Sequence, residues 1–185
     1  MEDFPFPNVV GPKMVAPLDH DRAQMLAFLP RLRRFAFALT GRAADADDLV
    51  QDTIERALRS LDRFTPGTRM DSWMFRIAQN LWIDALRAKK TRGQTAGLEE
   101  AEQVSFDGRR AVESRLMLSE TSRALAALPE DQRAVVALVL IDGLSYREAA
   151  SVLEVPIGTV TSRLARGREA LAQRVLGSAT AQWET

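Results

Sequence analysis

An all-α fold of two small helical domains joined by a flexible acidic linker, the second containing a helix-turn-helix, is predicted by three observations. Apolar residues recur at three- and four-residue steps through most of the 185 residues. The helical stripes are interrupted at length at Thr91–Glu113, by a stretch holding Gly93, Gly97 and Gly108 with Glu99, Glu100, Glu102 and Asp107. After it, Gly143–Leu171 carries a helix start, a short joint and a second helix.

Taken in order, residues 1–20 hold Pro5, Pro7, Pro12 and Pro17 without periodicity and are expected to form a flexible leader. From about Asp21, Met25, Leu26, Leu29, Leu32, Phe35, Ala36 and Leu39 share one helix face that ends at Gly41. Pro30 inside it removes one helical hydrogen bond, so either a kink or a helix beginning near Pro30 is expected. Next, Asp45–Asp48 place carboxylates at a helix N-terminus, where negative charge is favoured. Leu49, Val50, Ile54, Ala57, Leu58 and Leu61 continue as the core side of that helix, and Asp48, Gln51, Asp52 and Glu55 form an acidic strip. The strip fits either a solvated face or a docking surface for a basic partner.

Pro66 and Gly67 mark a loop over Phe64–Asp71. Trp73, Met74, Ile77, Ala78, Leu81, Trp82, Ala85 and Leu86 then occur as adjacent pairs every four residues, the strongest helical signal in the chain. Its other positions include Arg76, Gln79, Asn80, Asp84 and Arg87, followed by Lys89, Lys90 and Arg92. Rings beside cations suit single-stranded nucleic acid, although Trp82 reads better as core. Beyond the linker, Leu118, Thr121, Leu125 and Leu128 restart a stripe that Pro129 ends, and a helix over about Glu130–Ile141 is closed by Gly143.

In the helix-turn-helix, Ser145 and Glu148 have capping-box spacing, starting a helix near Tyr146 with Ala149, Ala150 and Leu153 inward. Pro156 stops that helix and the chain restarts at Pro156–Thr159. Val160, Leu164, Gly167 and Leu171 form the inward stripe of the second helix. Thr161, Ser162, Ala165, Arg166 and Glu169 point outward, flanked by Arg163 and Arg168. Short donors and arginines on one face suit base edges and phosphates in a major groove; an ordinary hairpin with a solvated arginine face is the alternative.

Lys+Arg and Asp+Glu balance at 25 each, which excludes a uniformly basic coat. Basicity is local instead: Arg69–Arg92 holds six Arg/Lys against two Asp, whereas Ala44–Glu55 is acidic. With few phosphates neutralised, the isolated chain should bind DNA weakly and a partner is implied. Without cysteine, disulfides and thiolate metal sites are impossible, and the lone His20 in a polar leader reads as solvated. No apolar run reaches the ~20 residues of a membrane span, and the N-terminus is unlike a signal peptide, so the cytoplasm is the expected location.

Four segments, Asp48–Thr53 (DLVQDT), Trp73–Asn80 (WMFRIAQN), Leu128–Arg133 (LPEDQR) and Gly143–Leu171, occur in the order and spacing of bacterial extracytoplasmic-function (ECF) sigma factors, a resemblance covering about Asp21–Arg174. The resemblance implies a transcription initiation factor that binds RNA polymerase core enzyme, recognises promoter DNA and promotes strand opening. Domain 2 would span residues 21–90, a linker 91–110, domain 4 residues 111–176 and a tail 177–185. Polymerase binding would fall to Asp47, Asp48, Leu49, Gln51, Asp52 and Glu55. The minus-ten element would meet Phe64, Thr65, Arg69, Trp73, Arg76, Asn80 and Arg87. The minus-thirty-five element would meet Ser145, Arg147, Thr159, Thr161, Ser162, Arg163, Arg166 and Arg168. An anti-sigma partner is implied as well. No catalytic residue, metal, cofactor or small-molecule substrate is expected. One rival is a helix-turn-helix regulator that does not join polymerase, but residues 1–110 lack the strand periodicity of its usual partner domains. The other is a recombinase, which would need a nucleophile that neither Ser60 nor Ser72 suggests.

Overall fold

The computed structural model describes residues 17–64, 69–93 and 122–181; the leader before Pro17, Thr65 and the rest of its loop, the linker from 94 onward, Leu118 and Thr121 lie outside them. Helix α1 spans Pro17–Thr40, α2 Ala43–Arg59 and α3 Met70–Gly93, with a 3-10 turn at Leu61–Arg63 between the last two. Among the described residues, α4 is seen over 122–126. Helix α5, Glu130–Val136, runs on as a π-helical turn through Ile141, followed by α6, Tyr146–Leu153, and α7, Ile157–Ala181. The described residues contain no strand.

The first three helices close around Phe75, which is fully buried and sits edge-on to Phe28 and Phe35 with ring centroids 4.8 Å away in both cases. Helix α1 is continuous, with Pro30 in its interior and on its exposed side, so it does not begin at Pro30. Its inward stripe takes in Phe28 and leaves out Leu26, which is 66% exposed although the spacing puts it beside Met25. In α2, Ala46 and Thr53 are buried and Leu58 is exposed. Thr53 tolerates burial because its hydroxyl donates to the Leu49 carbonyl one turn back, at 2.6 Å. In α3 the inward side is Met74, Phe75, Ala78, Gln79 and Trp82, so Gln79 is core where an outward position was expected.

Gly41 and Gly143 take φ of 74° and 72°, the left-handed geometry that ends α1 and the π-helical turn. The expected capping box is formed: Glu148 N–H donates to the Ser145 hydroxyl, and Ser145 N–H donates to the Glu148 carboxylate. Helix α6 stops at Glu154, a non-glycine residue at φ 55°, two residues before Pro156. Proline then serves as the N-cap of α7, its carbonyl accepting from Thr159 and Val160 N–H. In α7, Val160 and Leu164 are buried. At Gly167 a Cβ would come within 2.8 Å of Val136 Cγ2, so only glycine lets α7 lie this close to α5.

The two helix groups form one continuous buried cluster. Arg133 of α5 joins them: it donates to the Leu39 carbonyl at 2.7 Å and to the Ala126 and Leu128 carbonyls, and its guanidinium lies 5.7 Å from the Trp82 ring centre. Burial lowers the Arg133 pKa, but the surrounding carbonyls hold the cation in place of water.

Candidate polymerase and nucleic-acid interfaces

On α2, Asp48, Gln51 and Asp52 are exposed and Glu55 is half-buried, all of them away from the core. Gln51 donates to Glu55 at 3.3 Å, Arg59 pairs with Glu55 at 2.8 Å, and Asp47 receives Arg33 of α1 at 2.9 Å. Asp48 and Asp52 take part in no ion pair among the described residues. The strip is thus a negative face left mostly to solvent, with exposed Leu58 beside it. Leu49, by contrast, is 7% exposed and packs into the core, so it does not belong to this face.

The minus-ten candidates do not form one open surface. Phe64 is buried against Trp73, ring centroids 5.2 Å apart, and is a core residue. Trp73 is half-buried, Asn80 is exposed, and Arg87 lies on the surface 3.5 Å from Asp84. Thr65 lies outside the described residues. Arg69 and Arg76 are turned toward the second domain. Arg69 pairs with Asp71 at 2.6 Å and with Glu148 of α6. Arg76 pairs with Glu154 at 3.2 Å and donates to the Ser151 carbonyl at 2.9 Å. Burial opposes ionisation of Asp71, but Arg69, the Ser72 N–H and Arg31 outweigh it and hold its carboxyl below the usual range. The Arg69 pKa is raised in return, chiefly by its hydrogen bond to Asp71.

The helix-turn-helix presents the expected outer face. Arg147, Thr161, Ser162, Arg166 and Arg168 are exposed and Thr159 is half-buried. Ser145 is exposed, but its hydroxyl is occupied as the helix cap. Arg163 departs from expectation: its guanidinium reaches back 2.9 Å to Asp131 and fastens α7 to α5. At the helical pitch of ~100° per residue, position 163 lies between the inward and outward sides, and the carboxylate on α5 decides its direction.

One polar group was not anticipated. Asp142, at the C-terminal end of the π-helical turn, has a fully buried side chain facing α1. Arg31 and Arg34 approach it at 3.7 and 3.6 Å, close enough to attract and too far for a good hydrogen bond, so both its oxygens lack a hydrogen-bond partner. Burial therefore wins over the two arginines and pushes its pKa up to about 6. A negative residue at a helix C-terminus opposes the helix dipole, a signal that could have singled it out.

The contribution of Asp142 to domain packing is complete below its ordinary value of 3.8 and is lost as pH rises through about 6. At ~1.36 kcal/mol per unit, it amounts to no more than about 3 kcal/mol. Asp142→Asn should remove this increment and stabilise the packed arrangement at pH 7.5, measured as the difference between the two proteins in urea midpoint at pH 5 and pH 7.5. An equal pH dependence in both would contradict the assignment. Arg31 is shared with Asp71 at 3.1 Å, so the difference between the two proteins, and not either profile alone, isolates Asp142.

Both helix groups match known families. Residues 25–92 match sigma-70 region 2, and residues 118–171 match sigma-70 region 4. The ECF RNA polymerase sigma factor EcfG of Rhodopseudomonas palustris is 39% identical over 154 residues, covering 83% of this chain and 83% of that one. The chain belongs to the ECF sigma factors. The ECF sigma-E factor of Escherichia coli is 35% identical over 143 residues, 72% of this chain and 75% of its own. Among solved structures, the sigma factor RpoE of Bartonella quintana, crystallised with the anti-sigma factor NepR, superposes with a TM-score of 0.68 at 30% identity, covering 83% of this ECF sigma factor and 95% of RpoE. CnrH, solved with the cytosolic domain of CnrY, gives a TM-score of 0.66 at 28% identity over 88% and 91% of the two chains.

Within an ECF sigma factor, the acidic strip of α2 and the α3 residues fall in region 2, and the α7 face falls in region 4. Among the described residues no helix is long and apolar enough to cross a membrane, and no group of three His, Asp or Glu could hold a metal.

Proposed function

We propose that this ECF sigma factor binds RNA polymerase core through Asp48, Gln51, Asp52 and Glu55 and directs it to promoters through two DNA contacts. Arg69, Trp73, Arg76, Asn80 and Arg87 meet the minus-ten element, where a base trapped outside the stack offsets the few kcal/mol of unstacking and so drives strand opening. Thr161, Ser162, Arg166 and Arg168 enter the major groove of the minus-thirty-five element, with Ser145, Arg147 and Thr159 at its edge. The protein acts by binding and carries out no chemistry of its own; its place of action is the cytoplasm. Residues 21–90 and 111–176 are the working domains, and α7 extends the second of them through Ala181, into the expected tail.

The observation that carries this reading is the exposed face of α7, polar and cationic, on a helix held against α5 by Gly167 and set after a capped α6. The test is run-off transcription with purified core polymerase from start sites mapped after overexpression. Start-site-dependent RNA supports the reading; none from any mapped template sinks it.

An anti-sigma partner that restrains the factor is expected, since RpoE was solved in complex with the anti-sigma factor NepR. Arg166→Ala should cost about 1–3 kcal/mol at the upstream element if the guanidinium pairs with a guanine edge. Quantitative footprinting of holoenzyme on wild-type and base-substituted promoters checks this, and an unchanged base preference removes Arg166 from the readers.

A further inference from the structure

Two side chains of α7 that read as hydrogen-bond donors in the sequence have their protons engaged elsewhere. The Thr161 hydroxyl donates to the Ile157 carbonyl at 3.1 Å, and the Ser162 hydroxyl to the Thr159 carbonyl at 3.1 Å. A hydroxyl carries one donor proton, so neither keeps one for a base edge. With its oxygen turned back along the helix, Thr161 presents its methyl group outward. Ile157 lies four residues before it and Ala165 four after, and helix geometry sets such residues one above another. All three are exposed, Ile157 by 46%. The outer face of α7 therefore carries a row of methyl groups, from Ile157, Thr161 and Ala165, beside the polar row of Ser162 and Arg166.

We propose that this row reads the C5 methyl groups of thymines in the upstream element, with Ile157 as a specificity-determining residue. The inference rests on the assignment of α7 to the major groove of that element.

Local structure gives no reason for the isoleucine. A β-branched residue is a mediocre helix former, and the first turn of a helix favours acidic side chains. Helix α7 has no acidic residue there. The core does not claim Ile157 either, since Val160 and Leu164 are the residues that pack inward. Next to it stands Gly158, where an added Cβ would meet nothing within 4 Å, so the surface around Ile157 is bare.

The surroundings fit a polyanion. Arg147, Arg166 and Arg168 are exposed and take part in no ion pair among the described residues. Methyl groups ringed by cations suit the floor of the major groove, where thymine offers an apolar contact and phosphates flank it. From Ile157 to Ala165 the helix rises ~12 Å, the length of about three to four base-pair steps. The row thus matches a short run of A·T pairs. Its largest apolar group stands at the N-terminal end, which makes the base contacts in helix-turn-helix proteins.

Deoxyuridine keeps every hydrogen-bonding edge of thymine and lacks only the methyl group. Holoenzyme is titrated by footprinting on mapped promoters in which each upstream thymine is replaced in turn by deoxyuridine. At neighbouring positions under the row, affinity should fall about fourfold per methyl lost. Ile157→Ala should weaken binding to the thymine template by a similar factor and lose no more on the deoxyuridine template at its own position, the non-additivity of groups in contact. Thr161→Ser removes one methyl and keeps the hydroxyl, and should abolish discrimination between the two bases at its position. Thr161→Val keeps the methyl and removes the hydroxyl, and should preserve that discrimination. Equal affinity for thymine and deoxyuridine at every upstream position overturns the proposal, and so does discrimination that survives both Ile157→Ala and Thr161→Ser. Should Ile157→Ala weaken binding to all templates alike, those with deoxyuridine included, the side chain is covered by protein and the assignment fails. Failure of the sigma-factor reading shows separately, as no protection of any mapped promoter by wild-type holoenzyme.

Discussion

Reversing Asp48 and Asp52 together to arginine should abolish assembly with core polymerase while leaving the fold intact. Both side chains are exposed on α2 and lie outside the ion pairs of the described residues, so their replacement disturbs no buried contact. Exposed substitutions of this kind usually change stability by less than ~0.5 kcal/mol. Against a basic partner the effect is far larger, because two attractions become two repulsions, and like charges set together in an interface cost several kcal/mol. At ~1.4 kcal/mol per decade, a hundredfold loss of affinity or more is expected. Co-purification with core polymerase, with thermal melting as the control for folding, provides the measurement. Normal holoenzyme formation by the double variant would remove the strip from the interface and leave the solvated-face reading.

Phe75→Ala carries the second large effect, this time on stability. The ring is fully buried and contacts Phe28 and Phe35 edge-on, and Arg31 lies 5.5 Å from its centre. Truncating a buried phenylalanine costs about 3–5 kcal/mol in lost transfer energy and residual cavity. Native domains have only ~5–15 kcal/mol to lose. The urea midpoint should drop sharply and the cooperative transition should broaden or vanish in the first domain. Because Arg31 also reaches Asp71 and Asp142, the interdomain contacts should loosen with it. A midpoint within the error of wild type would mean that this site collapses around the gap, contrary to a core organised on that ring.

Much of this architecture was legible beforehand. The stop at Gly41, the Ser145–Glu148 capping box, the stripe Val160, Leu164 and Gly167, and the outward set from Thr161 to Arg168 all rest on interactions within a turn or two, and local spacing reports those directly. The departures have a common origin. Period alone puts Leu26 inward and Gln79 outward, because it cannot say how wide a buried stripe is; the neighbouring helix decides that. The motif places Leu49 and Phe64 among the binding residues, yet both side chains are buried, Phe64 against Trp73. Spacing puts Arg163 beside the outward face, and only the presence of Asp131 on α5 decides the ion pair it makes.

By itself, the order of residues determined that this is a helical protein with an acidic strip, a basic stretch and a helix-turn-helix, since helix periodicity, caps and breakers act over a few residues. Only the tertiary structure decided that Arg69 and Arg76 face Glu148 and Glu154, and that Asp142 is sealed beneath Arg31 and Arg34. Those partners stand about 80 to 110 positions apart in the chain. Nothing in local spacing encodes which charge will meet which, because that follows from how two separately formed helix groups come to rest on each other.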